Sequence, residues 1–196
     1  IILGSDFAGA HAAAVSAAAQ YPRLCGLYFE HTGVDFRVVS HESAPEGTSV
    51  SIIAVSCDAL ANTQRCIESL RRGADERYPQ EILIVDNGST DGSAEWLEAQ
   101  PDITLIRNPF NFGAPRARNQ ALRHAQGEWV AFLDNDVFVP EGWLDRALYH
   151  GAVDPAVGSI PLCANRASKH QVVEYHGSDD QAELQGFAEA HFKSAP

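Results

Sequence analysis

Trp129, Val130, Ala131, Phe132, Leu133, Asp134, Asn135 and Asp136 carry an unbroken apolar run directly into two carboxylates spaced i and i+2. A short run of that composition reads as a buried strand. In extended backbone alternate side chains point the same way, so Asp134 and Asp136 are expected on one side of the chain. Carboxylates aimed alike repel each other unless solvent, a proton or a cation offsets the repulsion, and a hard divalent ion bound through oxygen is the natural cation. Such an ion would bridge to something anionic. The bland alternative is a solvated turn after a buried strand, because Asp-x-Asp arises easily among 26 acidic residues.

The surrounding sequence favours the first reading. From Val50 onward short β-rich runs alternate with helical patterns, the signature of βαβ units and a mostly parallel sheet. Val50–Ser56 is the first strand, and Asn62 is placed to cap a helix that runs to Gly73. Cys66, Ile67 and Leu70 form its inner face, and Arg71 and Arg72 suit the dipole of its last turn. Glu81–Asp86 is the second strand; the turn from Asn87 to Gly92 and a short helix, Ser93–Gln100, with Trp96 and Leu97 inward, follow. Ile103–Arg107 is the third strand. After a loop rich in Asn, Phe and Gly, Pro115 opens a helix carrying Ala117, Ala121, Leu122 and Ala125, and Gly127 stops it. Trp129–Asp134 is the fourth strand. A helix from Pro140 and Trp143 to His150 and later strands at Val157–Ala164 and Val172–His176 are expected beyond it. Residues 1–48 have a different texture and no assignable role, so the expected division is a segment 1–48 and a domain 49–196.

Composition narrows the function. With 45% hydrophobic and 20% charged residues in 196, the chain is an ordinary globular one. A net charge of −12 argues against nucleic acid, whose phosphates are bound through Lys and Arg stripes. The four cysteines (Cys25, Cys57, Cys66, Cys163) form no C-x-x-C pair and no ligand-like spacing with His, so a reducing, cytoplasmic setting is expected. No run approaches the roughly 20 apolar residues that span a bilayer. The chain begins at Ile1 and holds no methionine, which suggests a fragment.

In an open parallel sheet, ligands bind beyond the carboxyl ends of the strands. The first strand ends at Ser56, Cys57 and Asp58, the second at Asp86, the fourth at Asp134 and Asp136. Asp suits strands poorly and is costly to bury unpaired, so packing does not explain this recurrence. Asp58 and Asp91 are read as cap or turn formers. Asp86 is different: a carboxylate there can accept the imide N–H of uracil or thymine.

These residues resemble the glycosyltransferase family 2 type of enzyme, with its α/β GT-A fold: a three-layer sandwich around a mostly parallel sheet whose first half is a Rossmann-like nucleotide-binding unit. VSIIAVSCD, ILIVDNGSTDGS, NPFNFGAPRARNQAL and GEWVAFLDNDVFVPEGWL carry the resemblance, in order, over about Ser49 to Leu148. It implies that Asp86 binds the base, that Ser56 lines the nucleotide pocket, and that Asn111, Gly113, Arg118 and Asn119 match the family's N-x-G and A-R-N elements. Gly113 would allow close backbone approach, and Arg118 would face the nucleotide. Asp134 would contact ribose or metal-bound water, and Asp136 would ligate Mn²⁺ or Mg²⁺. Asp58 stands where the family usually has Asn, and Cys57 where it has Tyr.

The reaction implied is displacement of a nucleoside diphosphate, from a UDP- or dTDP-sugar, by an acceptor hydroxyl of a glycan or glycolipid, with inversion. The setting implied is polysaccharide or glycolipid synthesis by a cytoplasmic protein visiting the inner face of the membrane. A carboxylate base is required. The family's acidic Glu-Asp motif has no counterpart before Pro196, and Gly186–Phe192 is only a weakened form of its lead-in; of the acidic pair Asp179 and Asp180, Asp180 is the candidate, against a plain solvated loop. The alternative is a non-catalytic or truncated nucleotide-sugar-binding module of a larger protein. A nucleotidyltransferase is disfavoured because Ser56–Thr63 has no Gly, Lys or Arg, and a redox Rossmann protein because no G-x-G-x-x-G follows the first strand.

Overall fold

The computed structural model describes residues 46–153, 157–160, 162, 175, 177 and 180–194. Residues 46–144 form one compact unit, and those from Asp145 onward belong to another.

In the first unit strands and helices alternate as the apolar runs require. They are β1 (Val50–Ser56), α1 (Leu60–Arg72), β2 (Gln80–Asn87), α2 (Ser93–Glu98), β3 (Ile103–Asn108), α3 (Ala114–Leu122) and β4 (Trp129–Asp134). The four strands are parallel and lie in the order β3-β2-β1-β4. The chain therefore builds outward from β1 to one edge and then returns to add β4 on the other side. Strand order reverses between β1 and β4, and the carboxyl ends beside such a reversal are where open α/β sheets hold ligands.

Helices cover both faces. Ile53, Leu83 and Val85 pack under Ala117 and Ala121 of α3, and all five are fully buried. Alanines on that helix let it lie close to the sheet. On the opposite face the Ser56 hydroxyl meets that of Thr63 on α1 at 2.8 Å, and Cys66, Ile67 and Leu70 of α1 are buried. The result is three layers. Each buried Ile or Leu contributes roughly 1.5–3 kcal/mol relative to exposure.

Several boundaries differ from the sequence reading. Helix α1 begins at Leu60, and Asn62 is an exposed residue of its first turn. The free N–H of Leu60 donates instead to Asp91 Oδ2 at 2.8 Å, so the cap comes from the loop before α2. Helix α3 ends at Leu122, which is 37% exposed. Ala117 and Ala121, four apart, set the buried face, and Leu122 is turned about 100° away from it. Gly127 is not a helix stop: a Cβ there would collide with the backbone nitrogen of Ser51 and stand 2.7 Å from the carbonyl carbon of Val50. The chain passes against β1 at that point, and Gly127 N–H donates to Ser51 Oγ at 2.8 Å.

Helix α4 (Trp143–Val153) crosses out of the first unit, and α5 (Gln181–Ser194) is the other described element of the second. Val157–Ile160 form no strand, in keeping with Gly158 inside that run and Pro161 after it. The remainder of that expected strand, the Val172–His176 strand apart from the non-strand Tyr175, and Cys25, Cys163, Asp179 and residues 1–45 lie outside the described residues. Among the described residues no helix is long and apolar enough to cross a membrane.

Gly127 is at the end of the sheet away from the strand termini that carry the acidic residues. Gly127→Ala is expected to lower unfolding stability by about 1–3 kcal/mol through overpacking against β1. Urea denaturation reads this directly, and an unchanged midpoint would contradict the close approach.

Candidate functional site

The carboxyl ends of β1, β2 and β4 open onto a cavity of about 340 Å³. Val55 and Cys57 line it from β1, Asn87 from β2, and Asp134, Asn135 and Asp136 from β4 and the turn after it. Asn111, Ala114 and Arg118 complete the wall from the loop before α3 and from α3 itself.

Asp134 and Asp136 converge, but not through extended backbone. The strand stops at Asp134, whose carbonyl accepts the N–H of Val137 at 3.1 Å, so Asn135 and Asp136 lie in a turn. That turn is fixed from below. Ser56 and Thr63 share their hydroxyl bond, and Asn135 Nδ2 donates to Thr63 Oγ1 at 3.0 Å. Ser56 is thus a buried support of the turn and is not among the cavity-lining residues.

Both carboxylates are exposed, and Asp134 Oδ1 accepts from a terminal guanidinium nitrogen of Arg118 at 2.5 Å. Among the described residues no group of three or more His, Cys, Asp and Glu could hold a metal. Two carboxylates in an open cavity nonetheless fit Mn²⁺ or Mg²⁺, which keep waters and complete their shells with phosphate oxygens. The cation already drawn to Asp134, the Arg118 guanidinium, shows that this carboxylate attracts positive charge.

Asp86, the penultimate residue of β2, stands directly opposite Ser56 in the register. It is 1% exposed, on the sheet face opposite Asn87 and outside the cavity lining. Its Oδ2 accepts the N–H of Ser89 at 3.3 Å, whereas its Oδ1 is buried with no hydrogen-bond partner. A buried acceptor left unpaired costs about 1–3 kcal/mol, more when charged, and a donor from a ligand would remove that cost.

An amide chain that sequence reading missed joins α3 to the cavity. Gln120 and Asn108 exchange hydrogen bonds at 2.8 and 2.9 Å, and Asn108 Nδ2 also reaches Asn87 Oδ1 at 3.0 Å. Asn87 Nδ2 then donates to Asn111 Oδ1 at 2.7 Å, and Asn111 Nδ2 donates to Cys57 Sγ at 3.4 Å. Each oxygen is fixed by its donors, so Asn111 turns its NH₂ group toward Cys57. The available signal was an Asn closing each of two adjacent strands, Asn87 and Asn108, which pair in the register and are both buried.

Gly113 precedes α3 at φ 82°, and its N–H donates to Asn111 Oδ1 at 2.8 Å. A Cβ there would find nothing nearer than 3.9 Å, so the dihedral, rather than crowding within the protein, demands glycine. Asn119 is exposed on α3. Asp58 accepts from Thr90 N at 2.7 Å, and Asp91 accepts from Ser93 N at 3.0 Å; these are the turn and cap roles read for them. Asp180 stands just before α5, and its Oδ1 accepts the N–H groups of Ala182 and Glu183 at 3.0 and 3.1 Å, the geometry of a helix cap.

A sequence model of the family "Glycosyl transferase family 2" matches residues 51–183, and the chain belongs to that family. It is similar to the pre-mycofactocin glycosyltransferase of Mycobacterium tuberculosis (strain H37Rv), 31% identical over 127 residues, 62% of this chain and 25% of the relative. It is also similar to the glycosyltransferase AglE of Haloferax volcanii, 29% identical over 103 residues, 50% of this chain and 34% of the relative. The chain thus spans a quarter to a third of the length of these curated relatives. Among solved structures it resembles the mannosyltransferase PcManGT from Pyrobaculum calidifontis in complex with GDP-Man and Mn²⁺. That likeness has a TM-score of 0.58 at 26% identity and covers 83% of this chain and 48% of the other. The fold is of the GT-A type.

Beneath the acidic turn, burial first and then the Asp136 and Asp134 carboxylates push the Cys66 thiol up from 9.0 to about 12. It stays protonated at neutral pH and faces the Asp134 carbonyl at 3.8 Å. Folding favours the protonated thiol, so its contribution to stability is whole below pH 9.0 and lost as pH rises toward about 12. Cys57 is half-buried at the cavity wall. Iodoacetamide at pH 8 is expected to label Cys57 in the native protein and spare Cys66, with both labelled after denaturation. Peptide mass spectrometry checks this, and native labelling of Cys66 would contradict the burial.

Proposed function

We propose that this cavity binds a nucleoside-diphosphate sugar with Mn²⁺ or Mg²⁺, and that the whole protein transfers the sugar to an acceptor hydroxyl with inversion. The observation that carries the reading is the convergence of Asp134, Asp136 and Arg118 on one cavity where strand order reverses. When bound, the cation would neutralise the charge growing on the departing diphosphate. Asp136, with Asp134 beside it, would hold it.

The chain's own residues supply the rest. Arg118 offers a cationic fork suited to phosphate oxygens. Asp86, next in sequence to the cavity-lining Asn87, would offer its unpaired Oδ1 to a ring N–H of the base, in keeping with the imide of a UDP- or dTDP-sugar. Gly113 would allow close backbone approach, and the NH₂ of Asn111, on the cavity wall, adds a donor. Asp180 is the candidate base for the acceptor hydroxyl. The acceptor class proposed is a glycan or glycolipid, in polysaccharide or glycolipid synthesis at the cytoplasmic face of a membrane. The free thiols of Cys57 and Cys66 accord with a reducing compartment.

Calorimetry with UDP, dTDP and GDP, each with Mn²⁺ and then with excess chelator, tests the donor site. Binding of UDP or dTDP is expected to need the metal and to weaken at least about tenfold in Asp136→Ala, some 1.4 kcal/mol. Asp86→Asn is expected to weaken nucleotide binding about 10- to 100-fold, the worth of a charge-assisted hydrogen bond. No nucleotide binding to folded protein would defeat the reading.

Transfer is tested separately in the full-length polypeptide. Asp180→Asn should leave nucleotide affinity intact and reduce turnover by about 10² or more. Unchanged turnover removes Asp180 from the base role. Binding without any turnover by the wild type favours the non-catalytic module.

A further inference from the structure

We propose that the Arg118 guanidinium and the divalent cation compete for the Asp134 carboxylate, so that Arg118 holds metal affinity down until a nucleotide diphosphate arrives. The inference rests on the nucleotide-sugar reading of the cavity and adds a rule for how its two ligands are coupled.

Three observations support it. Arg118 donates to Asp134 Oδ1 at 2.5 Å, so the carboxylate beside the proposed metal ligand Asp136 already has a positive partner. Ala117 and Ala121, buried against the sheet, fix the face of α3 from which Arg118 emerges beside the cavity. The third is that Arg118 Nε is buried and has no hydrogen-bond partner. One carboxylate oxygen thus uses only part of a five-donor fork. A diphosphate offers several anionic oxygens and can use more of it.

The physical consequence is thermodynamic coupling. Arg118 holds Asp134 Oδ1, so a cation entering alone either displaces it or shares the carboxylate with it, and in both cases sits beside a guanidinium whose charge is no longer fully offset. With a diphosphate present the guanidinium transfers to phosphate oxygens, and the carboxylate becomes available. Metal and nucleotide therefore raise each other's affinity, by the same factor in both directions. The ion pair is partly exposed, with side chains 35% and 68% accessible, so it is a weak brake. Its removal is expected to change metal affinity about three- to fivefold, the upper end of the range for exposed pairs.

Mn²⁺ binding to the protein, followed by the electron paramagnetic resonance of free Mn²⁺ with and without UDP, tests this in wild type, Arg118→Gln, Asp134→Asn and the double variant. Without UDP, Arg118→Gln should bind Mn²⁺ about three- to fivefold more tightly than wild type. In the Asp134→Asn background the same change should have little effect, and UDP should enhance Mn²⁺ binding much less in Arg118→Gln than in wild type. Arg118→Lys keeps the charge and loses the fork; it should hold metal affinity near wild type without UDP and still lose part of the UDP enhancement.

Unchanged or weaker Mn²⁺ binding by Arg118→Gln would overturn the competition. A gain that persists in full in the Asp134→Asn background would overturn it too, because simple repulsion of a cation at Asp136 would then suffice. In both cases wild type still binds Mn²⁺ and UDP, and the site reading survives. Failure of the wild type to bind either ligand overturns the site reading and this inference together.

Discussion

Strand β1 is hydrogen-bonded along its length to β2 on one side and to β4 on the other, and the site depends on that double ladder. Its register sets Ser56 opposite Asp86 and Val55 opposite Asp134. A slip of one residue would turn every side chain of β1 to the other face and take Ile53 out of contact with Ala117 and Ala121. The buried packing therefore holds the acidic strand ends in one place.

On that scaffold the polar groups divide into two kinds. Ser56, Thr63 and Asn135 on one side, and Gln120, Asn108, Asn87 and Asn111 on the other, bond chiefly to one another. They hold the turn after β4 and the loop before α3. Asp134, Asp136 and Arg118 stand at the cavity with charges that the protein balances only in part, and Asp86 keeps one buried oxygen unpaired. Saturated amides and hydroxyls provide rigidity, while unsatisfied charges are left for ligands.

The strands were legible because each is a continuous apolar run, and the order of motifs disclosed the family. What escaped was non-local. Nothing near Leu60 reveals that Asp91, 31 residues later, caps its helix. The Asp134–Asp136 spacing led to the right neighbours through the wrong backbone, since a turn and not an extended strand brings them together. Gly127 looked like a helix stop because only the folded chain reveals Ser51 behind it. Asn87 and Asn108 read as loop formers, yet they are buried partners across adjacent strands.

Crystals of the protein grown with UDP and Mn²⁺ and measured at the manganese absorption edge test the central claim most directly. The account predicts an anomalous peak against the Asp136 carboxylate, the diphosphate beside Arg118, and the uracil N3–H on Asp86 Oδ1. A manganese peak away from the turn after β4, or a base held elsewhere with Asp86 Oδ1 still unpaired, would contradict it.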